Sequence, residues 1–478
     1  MNYQISIYLV ILVLAVGCSR AFDPQIRTGA HPQLGDGVPE VMFSALAYLD
    51  DDNQPVIDTD LDIRYGSLIY RESDGIFTAG VEIQTEVFFV IDASEEEYER
   101  VEVMRDTIHV EDGNRRIIDS HEQFSHSDRI PVRPGNYRVV ARVTDLNSDQ
   151  AISRSSNTTV FDPESATPNL THIKVYGGSL HDPEVVFPLT SYSIPGMADT
   201  LTFEYQVTRP PESGPLRVTM QLRQFESDTL PPRRMSAVTP TRGSLQYRGI
   251  NYNRSEVLES QERILEQETG TITIEYRTSR PSRGNYRFEV EISEVGEDDD
   301  PIAFKARDFG SMSNNFPDIV TPRELAKPLV YLMRQSDYRE MMSIEDSDSL
   351  KRAIDRFWLS HLGNKDQARR VIEMYYERVE EANKQFSNFK EGWMTDMGMM
   401  YILFGPPWYV ERSLDRMVWI YGYNRNDPRR VFHFQRTRMH SDTRPFEHYI
   451  LQRHTQYHGV EYEQVQRWLS GAILTRPI

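Results

Sequence analysis

Cysteine is nearly absent from this chain: its 478 residues include one, Cys18, so no intrachain disulfide can form whatever the compartment. Positive charge is also in short supply. Against 72 Asp and Glu stand 53 Lys and Arg, a formal balance of -19, which excludes a general affinity for nucleic acid or anionic lipid because both depend on basic clusters. The signatures of common chemistries are missing as well, with no GxSxG, P-loop, dinucleotide fingerprint or HExxH, so no cofactor and no metal is called for. The apolar run ISIYLVILVLAVG at residues 5–17 is too short to cross a bilayer comfortably. What is present is a globular composition, 39% hydrophobic and 26% charged with 25 tyrosines, on a chain long enough for three domains.

The short apolar run suits the h-region of a signal peptide over residues 1–17, and it closes on Ala15-Val16-Gly17-Cys18. Small residues before a cysteine at that place resemble the bacterial lipobox, although the n-region MNYQ carries only its terminal amine as charge. The resemblance implies that Cys18 is acylated, which also removes its thiol from any disulfide-linked oligomer, and that Ser19 after it directs the protein to the outer membrane. Several acyl chains anchor a protein stably where one does not, so the membrane is the expected partner through Cys18. Residues 18–39, with Pro and Gly throughout and no apolar periodicity, read as a flexible tether.

From Val41 the pattern turns to short runs of period two, with VMFSALAYL, LDIRYGSLIY, VEIQTEVFFVI, YRVVARVTD and NTTVF divided by turn residues. This predicts an antiparallel, Ig-like β-sandwich over 40–162, and a second over 168–300 from THIKVYG, DTLTFEYQV, LRVTMQL, TGTITIEYR and NYRFEVEIS. An internal echo links the two: PGNYRVVARV at 134–143 and RGNYRFEVEI at 283–292 share a glycine suited to a positive-φ turn and a tyrosine, Tyr137 or Tyr286, that opens a strand. A Pro-Arg-Ser-rich loop interrupts the second block at 224–255, and SEVLESQERILEQ after it reads as a short helix. The sequons at Asn157, Asn169 and Asn253 arise easily by chance in Ser/Thr-rich strands.

Beyond the acidic EVGEDDDP the period changes to 3.6, marking a third, α+β domain over 315–478 with a helical hairpin and an antiparallel sheet. Thr321-Pro322 is a helix start, with Thr as N-cap and Pro at N1. Leu350, Ile354, Phe357 and Trp358 line one helix, and Ala368, Val371, Tyr375, Val379, Ala382 and Phe386 stripe a longer one. That helix must end before Gly392, where Trp393 is placed to wedge at a helix-to-strand joint, with its indole N–H on a carbonyl. Thr395 and Asp396 have short oxygen-bearing side chains that bond nearby backbone N–H groups and fix a turn. MMYILF, 399–404, reads as a buried strand closed by Gly405-Pro406-Pro407, and DRMVWIYGY and RRVFHFQR as a hairpin.

GWMTD at 392–396 followed by MGMMYILFGPP resembles the GWxTD domain of bacterial envelope proteins, as do RFWLSH, YYERVEEANKQF and MVWIY around it and LDIRYGSLIY far upstream. Two positions depart from that pattern: Met397 stands where an arginine is usual, and Trp408-Tyr409 replaces a frequent acidic pair. The resemblance implies envelope localisation and architecture, and no established activity.

Asp396 could serve as nucleophile or general base only beside a histidine, a second carboxylate or a metal. The candidates are the late histidines His433, His440, His448, His454 and His458, the last two spaced for one helical face. Two expectations therefore stand together. One is a non-enzymatic lipid-anchored scaffold that presents its third domain to an envelope protein or glycan. The other is an envelope glycan or peptide hydrolase built on Asp396 and the C-terminal histidines.

Overall fold

The computed structural model describes residues 38–475 apart from 93–96, 121, 181, 183, 239–248, 267–269, 297–300, 414–415, 423–429 and 438–447. The expectations for the signal segment, for Cys18 and its tether, and for His440 concern residues outside this set. The fold is mainly β, with several antiparallel sheets and a helical region toward the C-terminus.

In the first block, β1 (Val41–Leu49), β2 (Pro55–Arg64) and β6 (Gln123–Pro131) make one sheet. The facing sheet comprises β3 (Arg71–Ser73), β4 (Ile76–Asp92), β5 (Glu97–Asp112), β7 (Gly135–Asp145) and β8 (Ala151–Val160). Val41, Leu61 and Ile63 from the first meet Val81, Ala141 and Val143 from the second, since alternation along each strand sends every other side chain inward. Strand β5 has no counterpart among the sequence expectations. It pairs with β4 alone and is mostly exposed, with Val110 in the core and Met104 and Ile108 packed against it, so its polar composition carries only a weak period-two signal.

The second block repeats this layout. One sheet holds β9 (Asn169–Leu170), β10 (Lys174–Gly178), β11 (Val186–Pro188), β13 (Thr200–Arg209) and β16 (Gly270–Ser279). The other holds β12 (Ser193–Ile194), β14 (Leu216–Ser227), β15 (Ile250–Leu265), β17 (Gly284–Glu294) and β18 (Ala303–Ser311). Phe203 stacks on Phe288 between them with ring centroids 4.2 Å apart.

The internal echo has a physical meaning in the fold. Tyr137 donates its hydroxyl to the Arg133 carbonyl at 2.8 Å, and Tyr286 donates to the Ser282 carbonyl at 2.7 Å, each four residues back. This is the tyrosine corner of Ig-like sandwiches, made twice. The two glycines do different work. Gly135 has φ +147°, where a Cβ would also lie 2.4 Å from the Phe89 ring, whereas Gly284 is not in the positive-φ region and a Cβ there would crowd only side-chain ends, Gln224 Nε2 at 2.8 Å and the Tyr286 ring at 3.2 Å.

Two expectations for this block are corrected. Residues 255–267, read as a helix, lie mostly in β15, which pairs along β14 from Leu216↔Leu265 to Ser227↔Ile250. An edge strand with solvent on both faces takes Glu, Gln and Arg as readily as a surface helix does, and pairing with β14 overrides the local preference. The acidic segment before Pro301 is not a domain boundary. It joins β17 to β18, paired at Ile292↔Ala303, so this sheet continues to Ser311 rather than ending near 300.

The third block opens with Thr321 capping the helix Pro322–Ala326 through a full capping box with Glu324. Helices Gln335–Met342, Ser347–His361 and Lys365–Phe386 follow, the last burying the apolar stripe from Ala368 to Phe386. Four antiparallel strands, β19 (Tyr409–Arg412), β20 (Arg416–Ile420), β21 (Val431–Arg436) and β22 (Tyr449–Leu451), and the helix Tyr457–Ser470 complete it. The expected strand at 399–404 is a helix, Asp396–Phe404. Every residue from Met399 to Phe404 is buried, so the run is apolar all round and has no periodicity to separate helix from strand. Thr395 decides the matter locally: its hydroxyl accepts from Gly398 N at 3.0 Å as an N-cap.

Candidate functional site

The motif begins where the long helix stops. After Phe386 the chain turns through Ser387, and residues 388–396 are all buried, charged side chains included. Two glycines make this turn possible. A Cβ on Gly392 would lie 1.8 Å from the Ala382 carbonyl oxygen, and one on Gly398 would lie 1.9 Å from the Gly392 carbonyl oxygen. Backbone therefore packs on backbone, and only glycine fits.

Trp393 is 4% exposed and sits against Tyr331 at a ring-centroid distance of 6.3 Å, nearly edge to face. Its indole N–H donates to Glu391 Oε2 at 2.8 Å, a carboxylate rather than the expected backbone carbonyl. Its own amide donates to Asn383 Oδ1, and its carbonyl accepts from the Tyr331 hydroxyl. Burial drives the Tyr331 hydroxyl pKa well above its usual range, so it remains a donor.

The charged residues of the stretch reach out of the third block. Lys390 Nζ donates to Asp228 Oδ2 at 3.1 Å and to the Leu230 carbonyl at 2.9 Å, both in the segment that follows β14. Glu391 Oε1 pairs with Arg283 at 3.2 Å and accepts from Ser313 N at 3.2 Å. Asn388 Nδ2 lies 2.9 Å from His448 Nδ1. The motif is thus tied on three sides to the second sandwich and to the strands behind it.

Thr395 and Asp396, expected to fix one turn together, divide the work. Thr395 is local, accepting from Gly398 N and donating to the Gly392 carbonyl at 2.8 Å. Asp396 is long-range: Leu451 N donates to its Oδ2 at 2.7 Å, and Arg453 donates to both carboxylate oxygens. At the far end of the helix, Gly405 adopts φ +80° and receives the Tyr421 hydroxyl on its carbonyl at 2.8 Å. Pro406 is exposed and Pro407 buried. The last carbonyls of the helix are met by side chains: Leu403 O accepts from Gln464 and Trp468, and Ile402 O from Arg378 at 3.2 Å. The Arg378 guanidinium lies 5.1 Å from the Trp468 ring centroid, and burial lowers its pKa.

Among the described residues Asp396 bonds Leu451 and Arg453 and no histidine. His433 and His454 are exposed, and His454 Nδ1 accepts from Gln456 N. His448 is 5% exposed and is occupied by Asn388 and the Phe389 ring. His454 precedes the helix that holds His458, so the two do not share a helical face. Among the described residues no group of three or more His, Cys, Asp or Glu is placed to hold a metal ion.

Sequence reasoning missed Arg453, Arg283 and Asp228, the distant partners of the motif region. None stands in a pattern with the motif: folding of the third block brings up Arg453, and the packing of the second sandwich against that block brings Arg283 and Asp228.

Residues 298–470 match the family model of the GWxTD domain. No curated protein matches the chain. Among solved structures, it is similar to Salmonella alpha-2-macroglobulin reacted with methylamine at 13% identity and a TM-score of 0.18, over 59% of this chain and 17% of that one. It is also similar to the C-terminal domain of the Streptococcus pyogenes antigen I/II-family protein AspA at 8% identity and a TM-score of 0.18, over 58% of this chain and 100% of that one. At this level of likeness nothing about the present chain follows from either.

Proposed function

Starting from a chain whose residues 298–470 match the GWxTD domain, we propose that it is a lipid-anchored protein of the bacterial cell envelope that works as a non-catalytic binding or scaffolding module. Acyl chains on Cys18 would hold it at the outer membrane, and the folded body would meet an envelope protein or glycan. The observation that carries this reading is the burial of residues 388–396, whose charged groups are spent on Asp228, Arg283 and Arg453. A motif used in this way joins domains. A hydrolase centred on Asp396 would have to free a carboxylate that is 7% exposed and bonded through both oxygens, and it would have to bring up a histidine that now lies at the surface or, like His448, is held by Asn388.

The anchor is tested by growing cells that express the wild type or Cys18→Ala in radiolabelled palmitate and fractionating their membranes. The expected result is label on the wild type alone, in the outer-membrane fraction. Equal label on Cys18→Ala would overturn the lipoprotein reading.

A further inference from the structure

The segment after β14 does not stay with its own sandwich. From Asp228 it crosses to the GWxTD domain, where Met235 is 0% exposed and belongs to that domain's core. Beside the Asp228–Lys390 ion pair, several polar contacts along the crossing fall on its main chain. Lys390 donates to the Leu230 carbonyl at 2.9 Å, Arg453 to the Arg233 carbonyl at 3.1 Å, and His454 N to the Met235 carbonyl at 3.3 Å, while Met235 N donates to Glu461 Oε2 at 3.1 Å. Leu230 and Val238, which flank the anchor, are 50% and 48% exposed. One apolar side chain is swallowed and the backbone on one side of it is read by fixed groups, an arrangement by which domains bind short peptide segments.

We infer that this face of the GWxTD domain is a peptide-docking groove, and that residues 228–238, DTLPPRRMSAV, are its resident ligand, a clasp supplied in cis by the second sandwich. Pro231-Pro232 stiffens the approach, which lowers the entropy lost on seating, and a turn closed by Ala237 N on the Arg234 carbonyl at 3.0 Å presents Met235. Asp396 acts here as a positioning residue: by pairing with both terminal nitrogens of Arg453 it aims Nη2 at the Arg233 carbonyl as well. The motif thereby builds the groove without touching the clasp through its own carboxylate. The inference goes beyond the anchoring reading and holds whether or not Cys18 is acylated.

A tethered ligand competes at an effective concentration on the order of millimolar, so a free copy should bind poorly until the clasp is dislodged. The test uses the full chain as wild type, Met235→Glu, which puts a charge in the apolar seat, and Met235→Ala, which vacates it. The probe is a fluorescein-labelled peptide of Asp228–Val238 followed by anisotropy, with a Met235→Glu peptide as control. Hydrogen exchange of the 228–238 amides is followed in parallel. The expected result is at least ~10-fold tighter binding of the probe to either variant than to wild type, no binding of the control peptide, and faster exchange of the clasp in the variants. Equal binding to all three proteins, or none to variants with native near-UV circular dichroism, would overturn the inference. Failure of both variants to fold would also overturn it, since the segment would then be an inseparable part of the core.

Discussion

Asp396 and Arg453 stand 57 residues apart and meet through both carboxylate oxygens, Arg453 Nη2 on Oδ1 at 2.6 Å and Nη1 on Oδ2 at 3.0 Å, with both side chains about nine-tenths buried. The pair welds the start of the motif helix to the segment after β22. Removing one partner leaves a buried charge uncompensated. Asp396→Asn or Arg453→Met alone should therefore cost about 3–5 kcal/mol, and the double variant less than the sum of the two. All five tryptophans lie between residues 358 and 468, so denaturant unfolding of the full chain followed by tryptophan fluorescence reports this domain. Strictly additive losses would show that the pair does not act as a unit.

The glycines of the motif make a sharper test of packing. Gly392→Ala and Gly398→Ala each drive a methyl group into a backbone carbonyl, at 1.8 and 1.9 Å, and should destabilise by more than about 4 kcal/mol or abolish soluble expression. Gly363→Ala is the control, because a Cβ there meets nothing within 4 Å. Thermal melts of the three variants against wild type check the contrast, and a small shift for Gly392→Ala would disprove the close approach.

Trp393→Ala empties a buried ring site and strands Glu391, so it should cost about 3–5 kcal/mol in the same fluorescence-monitored transition. Trp393→Phe keeps most of the volume but loses the indole donor, and it should fall between Trp393→Ala and wild type. A Trp393→Ala protein as stable as wild type would return attention to this stretch as a site that pays stability for chemistry.

At the junction of the two sandwiches, His172 Nδ1 accepts from Ala47 N at 3.2 Å and is therefore unprotonated there. Burial first, then Lys305 and Arg307, push its pKa down to about 4. The folded value lies below the ordinary 6.5, so the unfolded chain binds more protons between the two. Stability should fall as pH drops from about 6.5 toward 4, by roughly 3 kcal/mol at most from this residue. Urea midpoints by far-UV circular dichroism at pH 7, 5.5 and 4.5 check it against His172→Gln, which accepts the same bond without charging. An identical acid slope in both proteins would rule His172 out as the cause.

Patterns confined to one element were legible in the sequence. The stripe from Ala368 to Phe386, the Thr321 cap and the alternation of β7 all depend on neighbours within a few residues, where period and side-chain chemistry act directly. The paired tyrosines could be read as equivalent for the same reason, since each bonds four residues back in its own turn. The pattern of MMYILF could not tell helix from strand, because a run buried on every side has no polar face to reveal its period; the fold shows a helix, with the Thr395 cap at its start. Tertiary structure decided that 255–265 became a strand by setting β14 beside it. It decided the meaning of GWMTD too: the sequence shows a turn-forming Thr-Asp pair, but a carboxylate takes its role from the charge that folding brings to it. For Asp396 that charge is Arg453, which no spacing rule links to the motif.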